Sequence, residues 1–358
     1  MMKIAILFDF IEGVSGGEKL LLFLAKKYKA DIYTGYANLD RSYKEFKKFN
    51  INVLGKIPKI QLIKQEMFVR KFRSLDLSDY DATICLGFYS IYASLINHPV
   101  IWNAYGVSSL FYRRANFPKE FLNQSLTWRI GAEIWRRRIQ NYDKKIVKKY
   151  IDKIITISEY SRQAFKNYYN RDSVIIPPPV DMKKHYYKPS KDYYLVVSRL
   201  EHGKRVDLAV KAFKNMPDKT LFIEGNGSLR KILEKLAGNA KNIKFLGRAS
   251  SEELLELYAN CIALIGTAFY DDWSMPMIEA MASGKPVIGV NQGAYPEIII
   301  KNTGVLVDGS PKGIINGVKK ITPEVAKNMK NVCIKRAKEV DTNSFYKKWD
   351  KVLNEIIK

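Results

Sequence analysis

Three consecutive prolines, Pro177 to Pro179, divide the chain into two stretches, and each stretch alternates short apolar β-rich runs with helix-period patterns. Before the prolines, Lys3–Phe8, Ile32–Thr34, Ala82–Leu86, Val100–Trp102 and Lys153–Ile157 read as strands. A helix from Glu18 to Lys27 and a long basic helix ending near Lys149 fall between them. After the prolines, strands are expected at Tyr193–Val197, Thr220–Ile223, Ile243–Leu246, Ile262–Ile265 and Val287–Val290, each pair separated by a helical pattern. The fold class is therefore α/β: two Rossmann-like, doubly wound parallel-sheet domains facing a cleft. The expected boundaries are 1–180 and 181–338, with a polar linker near 178–191 and a terminal helical stretch at 339–358. A chain of 358 residues is long enough for two cores. In such folds ligands sit beyond the carboxyl ends of strands, beside helix N-termini.

Several classes are excluded on this reading. The opening Met1-Met-Lys-Ile-Ala-Ile-Leu-Phe-Asp9 is too short for a signal h-region and has no cleavage site after it, so it reads as the first strand. No uncharged apolar run approaches the roughly 20 residues that span a bilayer. Cys85, Cys261 and Cys333 are odd in number and far apart, and they have no metal-ligand spacing. A reducing cytoplasm and no structural zinc are expected.

The net charge is +24, and its placement matters more than its size. Residues 41–73 hold ten Lys/Arg against Glu45 and Glu66, and residues 111–150 hold eleven against Glu120, Glu133 and Asp143. Ile57, Ile60, Phe68, Phe72, Phe111, Tyr112, Trp128 and Trp135 interleave with these charges. The pattern suits an anionic membrane surface or a polyanionic acceptor, with Arg136, Arg137 and Arg138 as the candidate patch. A solvated Lys-rich face around buried aromatics is the alternative for any one residue.

Three constellations can carry chemistry. In Ser198-Arg199-Leu-Glu-His-Gly203-Lys204-Arg205, basic residues crowd the start of an amphipathic helix, where the macrodipole opposes them unless an anion is bound. A diphosphate would remove that conflict; the alternative is that the side chains bend into solvent or pair with Glu201. The second runs from Asp271-Asp-Trp-Ser274-Met275-Pro276 through Glu279 to Gly284-Lys-Pro286, and proline and glycine delimit a short helix. Asp271 precedes that helix and Glu279 falls early in it. Two carboxylates there suit ribose and sugar hydroxyls, although Glu279 could equally complement the helix dipole. The third is Glu12-Gly-Val-Ser-Gly16-Gly17-Glu18 after the first strand, a weak signal alone. Asp79-Tyr-Asp81 precedes its strand and reads as a turn. His98, His185 and His202 give no triad and read as surface residues.

Taken in order, these segments resemble glycosyltransferase family 4, the retaining transferases of GT-B fold. The resemblance spans about Lys3 to Asp308. It is carried by Gly16-Gly17, Thr156-Ile-Ser-Glu-Tyr-Ser161, Ile176-Pro-Pro-Pro-Val-Asp181, Ser198-Arg199-Leu with Lys204, Glu224-Gly-Asn-Gly227, Phe245-Leu-Gly-Arg248, and Pro276-Met-Ile-Glu279 through Pro286. It implies that Arg199 and Lys204 bind the donor diphosphate and stabilise it as leaving group, with no metal or other cofactor. It further implies that Glu279 holds the ribose and Asp271 faces the transferred sugar beside the backbone amides near Ser274 and Met275. Gly16 and Gly17 would approach the donor from the opposite domain, and Arg248 would lie near the base. Retention would follow from front-face transfer, with leaving-group oxygen helping to deprotonate the acceptor. The helical stretch Phe345 to Ile357 would pack back on the N-terminal domain and couple closure to donor binding.

This sequence departs from the family in two places. Asp271 stands where glutamate is usual, and Asn103 in Ile101-Trp-Asn103-Ala-Tyr stands where many relatives carry histidine. Asn103 can bond a sugar hydroxyl but cannot titrate. The expected activity is transfer of a hexose of mannose or glucose type from a UDP- or GDP-sugar to a glycan or polyprenyl-linked acceptor. The expected location is the cytoplasmic face of a membrane, held peripherally. The rival classes are a basic nucleic-acid or polyanion binder, which leaves Asp271 and Glu279 unexplained, and another GT-B enzyme such as an epimerase or phosphorylase.

Overall fold

The computed structural model describes residues 2–55, 61–106 and 126–357; the side chains of 61–65, 126–132, 135, 136 and 139 lie outside that description. Ile57, Ile60, Phe111 and Tyr112, and the side chains of Trp128, Trp135 and Arg136, therefore fall outside the described residues. The chain forms two compact units, Met1–Ile176 with Tyr346–Lys358, and Pro177–Phe345.

In the first unit the strands are β1 (Ile4–Ile11), β2 (Asp31–Ala37), β3 (Ile51–Val53), β4 (Ala82–Cys85), β5 (Val100–Ala104), β6 (Lys153–Thr156) and β7 (Val174–Ile175). They form one sheet in the order β3-β2-β1-β4-β5-β6-β7, and every described pairing is parallel. Central strands of such a sheet are covered on both faces, and β4 and β5 are accordingly buried at every position. Trp102 on β5 is the largest of these side chains. Its indole donates to the Gly87 carbonyl at 3.1 Å, and its ring meets Phe165 edge-on at 5.1 Å. Phe68 and Phe72, grouped by sequence with the basic surface, are fully buried in this core. They belong to packing rather than to an acceptor surface, because helix Gln61–Arg73 turns these two rings inward while Arg70 and Arg73 are exposed.

Helix Thr342–Ile356 ends in the first unit. Tyr28 donates to Asp350 at 2.9 Å, Lys27 pairs with the same carboxylate at 3.1 Å, and Tyr346 donates to the Phe23 carbonyl at 3.2 Å.

The second unit holds β8 (Tyr194–Val197), β9 (Leu221–Glu224), β10 (Ile243–Gly247), β11 (Leu264–Gly266), β12 (Val287–Val290) and β13 (Gly304–Val307), ordered β10-β9-β8-β11-β12-β13 and parallel. Helix Ser251–Asn260 starts with a capping box between Ser250 and Glu253. Helix Met275–Ala282 has proline in its first turn, and Gly284 follows it at φ +72°.

The unit boundaries fall at 176/177 and 345/346 rather than at 180/181 and 338/339. The cause is local: Val180 bridges Asp341, its N–H donates to the Val340 carbonyl at 3.0 Å, and both segments are thereby fixed to the second unit. Nor is 178–191 a free linker. Lys188 and Lys191 donate backbone N–H groups to Ala259 and Asn260, while buried Lys285 donates to the Lys188 carbonyl and Ser190 beneath the Tyr187 ring.

Candidate functional site

The exits of β8, β9, β11 and β12 are tied together by backbone contacts, and these ties place the side chains that sequence singled out. After β8, the turn His202–Lys204 is held against the β11 exit. Thr267 donates through its hydroxyl to the Lys204 carbonyl at 2.7 Å, and the Phe269 N–H donates to Gly203 at 3.0 Å. The β9 exit closes on the same loop. Gly225 sits at φ +117°, and a Cβ there would lie 2.0 Å from the Ser198 carbonyl oxygen, so only glycine lets the two backbones meet. The Glu224-Gly-Asn-Gly227 motif thus carries the wall behind Arg199.

Lys204 reaches across this junction. Its Nζ lies 3.1 and 3.2 Å from the two oxygens of Asp271, and Tyr295 donates to Asp271 Oδ2 at 3.4 Å. Both members of the ion pair are mostly shielded, with 28% and 17% side-chain exposure. Asp271 is itself positioned by its neighbours. The Ala294 N–H donates to its carbonyl at 2.9 Å, and Tyr270 before it adopts φ +53°. Ser274 caps helix Met275–Ala282 through its carbonyl, which accepts from the Ile278 N–H, and its hydroxyl faces Tyr295. Met275 opens that helix, and Glu279 is its fifth residue, 8% exposed.

The structure resolves the conflict between basic residues and a helix start within the chain. Arg205 adopts φ +48°, pairs with Asp207 at 2.9 Å and stacks on the Phe269 ring at 4.4 Å. Lys204 lies in the preceding turn with Asp271, and exposed Arg199 pairs with Glu201 at 3.2 Å. No anion is required for charge balance at this helix start.

Glu279 does not serve the helix dipole either. Tyr258, fully buried on helix Ser251–Asn260, donates to Glu279 Oε2 at 2.8 Å. Nearby Glu224, 7% exposed, accepts from the Ala249 N–H at 3.2 Å. Burial raises its carboxyl above the usual range, the Ala249 hydrogen bond and Arg248 lower it, and Glu279 adds a raising contribution. Arg248 is exposed in the loop after β10. His185, read from sequence as a surface residue, is half-buried here: its Nδ1 lies 3.1 Å from the Ser283 hydroxyl and its ring 6.1 Å from that of Tyr258.

In the first unit the loop after β1 runs into helix Gly16–Tyr28, capped by Ser15. Glu18, buried, accepts from the N–H groups of Glu12 and Gly13 at 2.9 and 2.8 Å and so fixes the glycine loop. Tyr105 donates to the Gly17 carbonyl at 3.2 Å. Asn103, at 1% exposure near the end of β5, has a side-chain oxygen with no hydrogen-bond partner. Arg137 and Arg138 are exposed, and Arg137 pairs with Glu133 at 3.1 Å.

Sequence reasoning gave no role to Tyr258, Tyr295 or Asp9, and it named Glu224 and Glu18 only as members of their motifs. Tyr258 and Tyr295 are ordinary members of apolar patterns, and only their buried hydroxyls mark them. Glu224 stands at the end of its strand and Asp9 is a lone carboxylate inside the apolar β1, which was the available signal.

Residues 179–340 match the family model described as glycosyl transferases group 1. The chain is 28% identical over 151 residues to an uncharacterized glycosyltransferase of Methanocaldococcus jannaschii, covering 42% of this chain and 43% of that protein. It is 24% identical over 208 residues to a GDP-mannose-dependent alpha-(1-6)-phosphatidylinositol dimannoside mannosyltransferase of Mycobacterium tuberculosis, covering 53% and 54%. The chain thus spans about half the length of the curated relatives it matches. In fold it is similar to Anabaena HepE in complex with UDP and glucose, with TM-score 0.76 and 17% identity over 99% of this chain and 100% of that one. Sucrose-phosphate synthase of Thermosynechococcus elongatus gives TM-score 0.78 and 17% identity over 99% and 98%. The two parallel sheets are thus arranged in the GT-B manner of these structures, and the β8, β9, β11 and β12 exit loops lie inside the segment 179–340 that matches the glycosyl transferases group 1 model.

Proposed function

We propose that the protein is a hexosyltransferase that moves a mannose- or glucose-type sugar from a UDP- or GDP-sugar to a glycan or polyprenyl-linked acceptor, with retention of anomeric configuration. The observation that carries this reading is the Lys204–Asp271 pair at tied strand exits, with Asp271 before and buried Glu279 on the same short helix, within the matched segment. Lys204 and Arg199 take the donor diphosphate, and Lys204 stabilises the charge that develops on the leaving oxygen. Basic side chains do this work, with no metal ion or other cofactor. Donor binding exchanges Asp271 for phosphate oxygen on Lys204, which leaves Asp271, still hydrogen-bonded by Tyr295, to accept from sugar hydroxyls. The amides at Ser274 and Met275 open a helix whose positive end suits the same ligand. Glu279 accepts from the ribose hydroxyls, and Arg248 lies by the base.

HepE was seen with UDP and glucose, and the mycobacterial relative uses GDP-mannose; both support a nucleotide-sugar donor here. In the first unit the candidates are the Gly16-Gly17 loop for donor and Asn103, with its orphaned oxygen, for acceptor or sugar. Among the described residues no helix is long and apolar enough to cross a membrane. The basic helix Leu126–Tyr150, with Arg137 and Arg138 outward, supports peripheral attachment to an anionic cytoplasmic membrane face. A calorimetric screen of UDP-, GDP- and ADP-sugars tests the donor site. One of them should bind to the wild type and lose affinity in Lys204→Met, and absence of binding to all of them overturns the assignment.

A further inference from the structure

Four buried tyrosines of the second unit donate hydrogen bonds through their hydroxyls, and the acceptors divide into two kinds. Tyr193 and Tyr194 donate to backbone carbonyls of Leu257 and of Val318 and Ile321. Tyr258 and Tyr295 donate instead to the two carboxylates at the strand exits, Glu279 and Asp271. A buried phenol needs an acceptor, and a backbone carbonyl satisfies it without constraining any side chain. A carboxylate partner is different, because the hydrogen bond fixes which way the carboxylate faces.

We infer that Tyr258 is a positioning residue for donor recognition: its hydroxyl holds the Glu279 carboxylate in the orientation that receives the ribose. This rests on the role given to Glu279 above. Three observations carry it. The Tyr258 hydroxyl lies 2.8 Å from Glu279 Oε2, and its ring is fully buried, so the donor cannot swing away. Glu224 presents a second buried carboxylate to the same region, and like charges drive Glu279 away from it unless a donor holds it. Burial and the two carboxylates also keep the phenol protonated far above neutral pH, so that it remains a donor throughout the working range. The His185 ring, held by its hydrogen bond with Ser283, lies 6.1 Å from the Tyr258 ring.

The test compares UDP and GDP with their 2′-deoxy counterparts by calorimetry on the full chain. Wild type should prefer the ribonucleotide about tenfold, the factor carried by one hydrogen bond to a charged group. Tyr258→Phe keeps the buried ring. It should erase roughly threefold or more of that preference, weakening the ribonucleotide while the 2′-deoxy form binds within about twofold of wild type. Equal weakening of both forms, or an unchanged preference, overturns the inference, since a purely structural tyrosine would not distinguish the two sugars. Glu279→Gln separates this failure from that of the underlying reading. If Glu279→Gln abolishes the ribose preference and Tyr258→Phe does not, only the inference falls. If Glu279→Gln leaves the preference intact, or wild type binds none of the four, the ribose role of Glu279 falls and takes the inference with it.

Discussion

The two sheets are wound alike from their first strands outward, β3-β2-β1-β4-β5 in one and β10-β9-β8-β11-β12 in the other, yet their carboxylates are used differently. In the first unit the two beside the β1 exit, Asp9 and Glu18, satisfy backbone. Asp9, within β1, accepts from the N–H groups of Phe88, Tyr89 and Ser90, and Glu18 accepts from Glu12 and Gly13. In the second unit Asp271 and Glu279 meet the side chains of Lys204, Tyr295 and Tyr258. A backbone N–H cannot leave without unfolding its segment, whereas a lysine side chain can exchange one anionic partner for another. The same frame thus holds a fixed brace in one unit and an exchangeable charge pair in the other.

Matched substitutions can break this contrast. Lys204→Met should lower sugar transfer by about 10²–10³-fold, the range for removing one preorganised donor to developing charge, with a small change in melting temperature. Asp9→Asn should do the reverse. It sets an amide against three partly buried N–H groups and should cost about 1–3 kcal/mol of stability. Its melting temperature should fall while the affinity of the second unit for nucleotide stays constant. Thermal melts and donor titration on both variants decide it, and a stable, inactive Asp9→Asn would end the distinction.

Charge sharpens the comparison. The first unit carries 34 Lys/Arg against 18 Asp/Glu, net +16, and the second carries 26 against 18, net +8. The stretches 41–73 and 111–150 account for the whole excess of the first unit. Exposed Arg137 and Arg138 lie on helix Leu126–Tyr150, as do exposed Ile134 and Tyr142. At about 1 kcal/mol per basic residue near an anionic surface, Arg137→Gln with Arg138→Gln should weaken sedimentation with phosphatidylserine vesicles roughly tenfold or more at low salt. The same number of exposed lysines replaced in the second unit, Lys231→Gln with Lys235→Gln, should have little effect. Equal losses would assign the binding to net charge alone.

Much of this frame was legible because parallel strands buried on both faces leave continuous apolar runs. Val287–Val290 is read from sequence with its true limits. Strand β3, with three residues, and β7, with two, are too short to leave such a run, and β13 was also missed. At the site, Lys204, Asp271 and Glu279 were legible as charges at strand ends, but their partners were not. Pairing depends on where the loops cross. The Lys204–Asp271 bridge spans 67 positions and is set by backbone ties at Thr267, Phe269 and Ala294 that leave no compositional mark. The Pro177–Pro179 break marked a real division but displaced its limits, because a proline run says where regular structure stops and not which core claims the segment.

Two glycines give the smallest and most discriminating test. A methyl at Gly17 would meet the rings of Phe8 and Tyr105 at 3.5 Å, ordinary contact distance, so nothing in the described packing demands glycine there. A methyl at Gly293 would lie 2.5 Å from the Asp271 carbonyl oxygen, on a backbone at φ +58°. Gly293→Ala therefore strains its own turn and pushes the Asp271 loop, and it should lose about 1–3 kcal/mol of stability together with turnover. Gly17→Ala sits in a helical first turn, where alanine is at least as stable as glycine. Its melting temperature should hold or rise slightly, and if the glycine loop touches the donor, the donor KM should increase several-fold with kcat nearly unchanged. An unaltered KM would assign Gly17 to the fold of its unit alone and leave the donor contacts to the second unit, because a side chain that fits both the packing and the ligand gives neither any reason to exclude it.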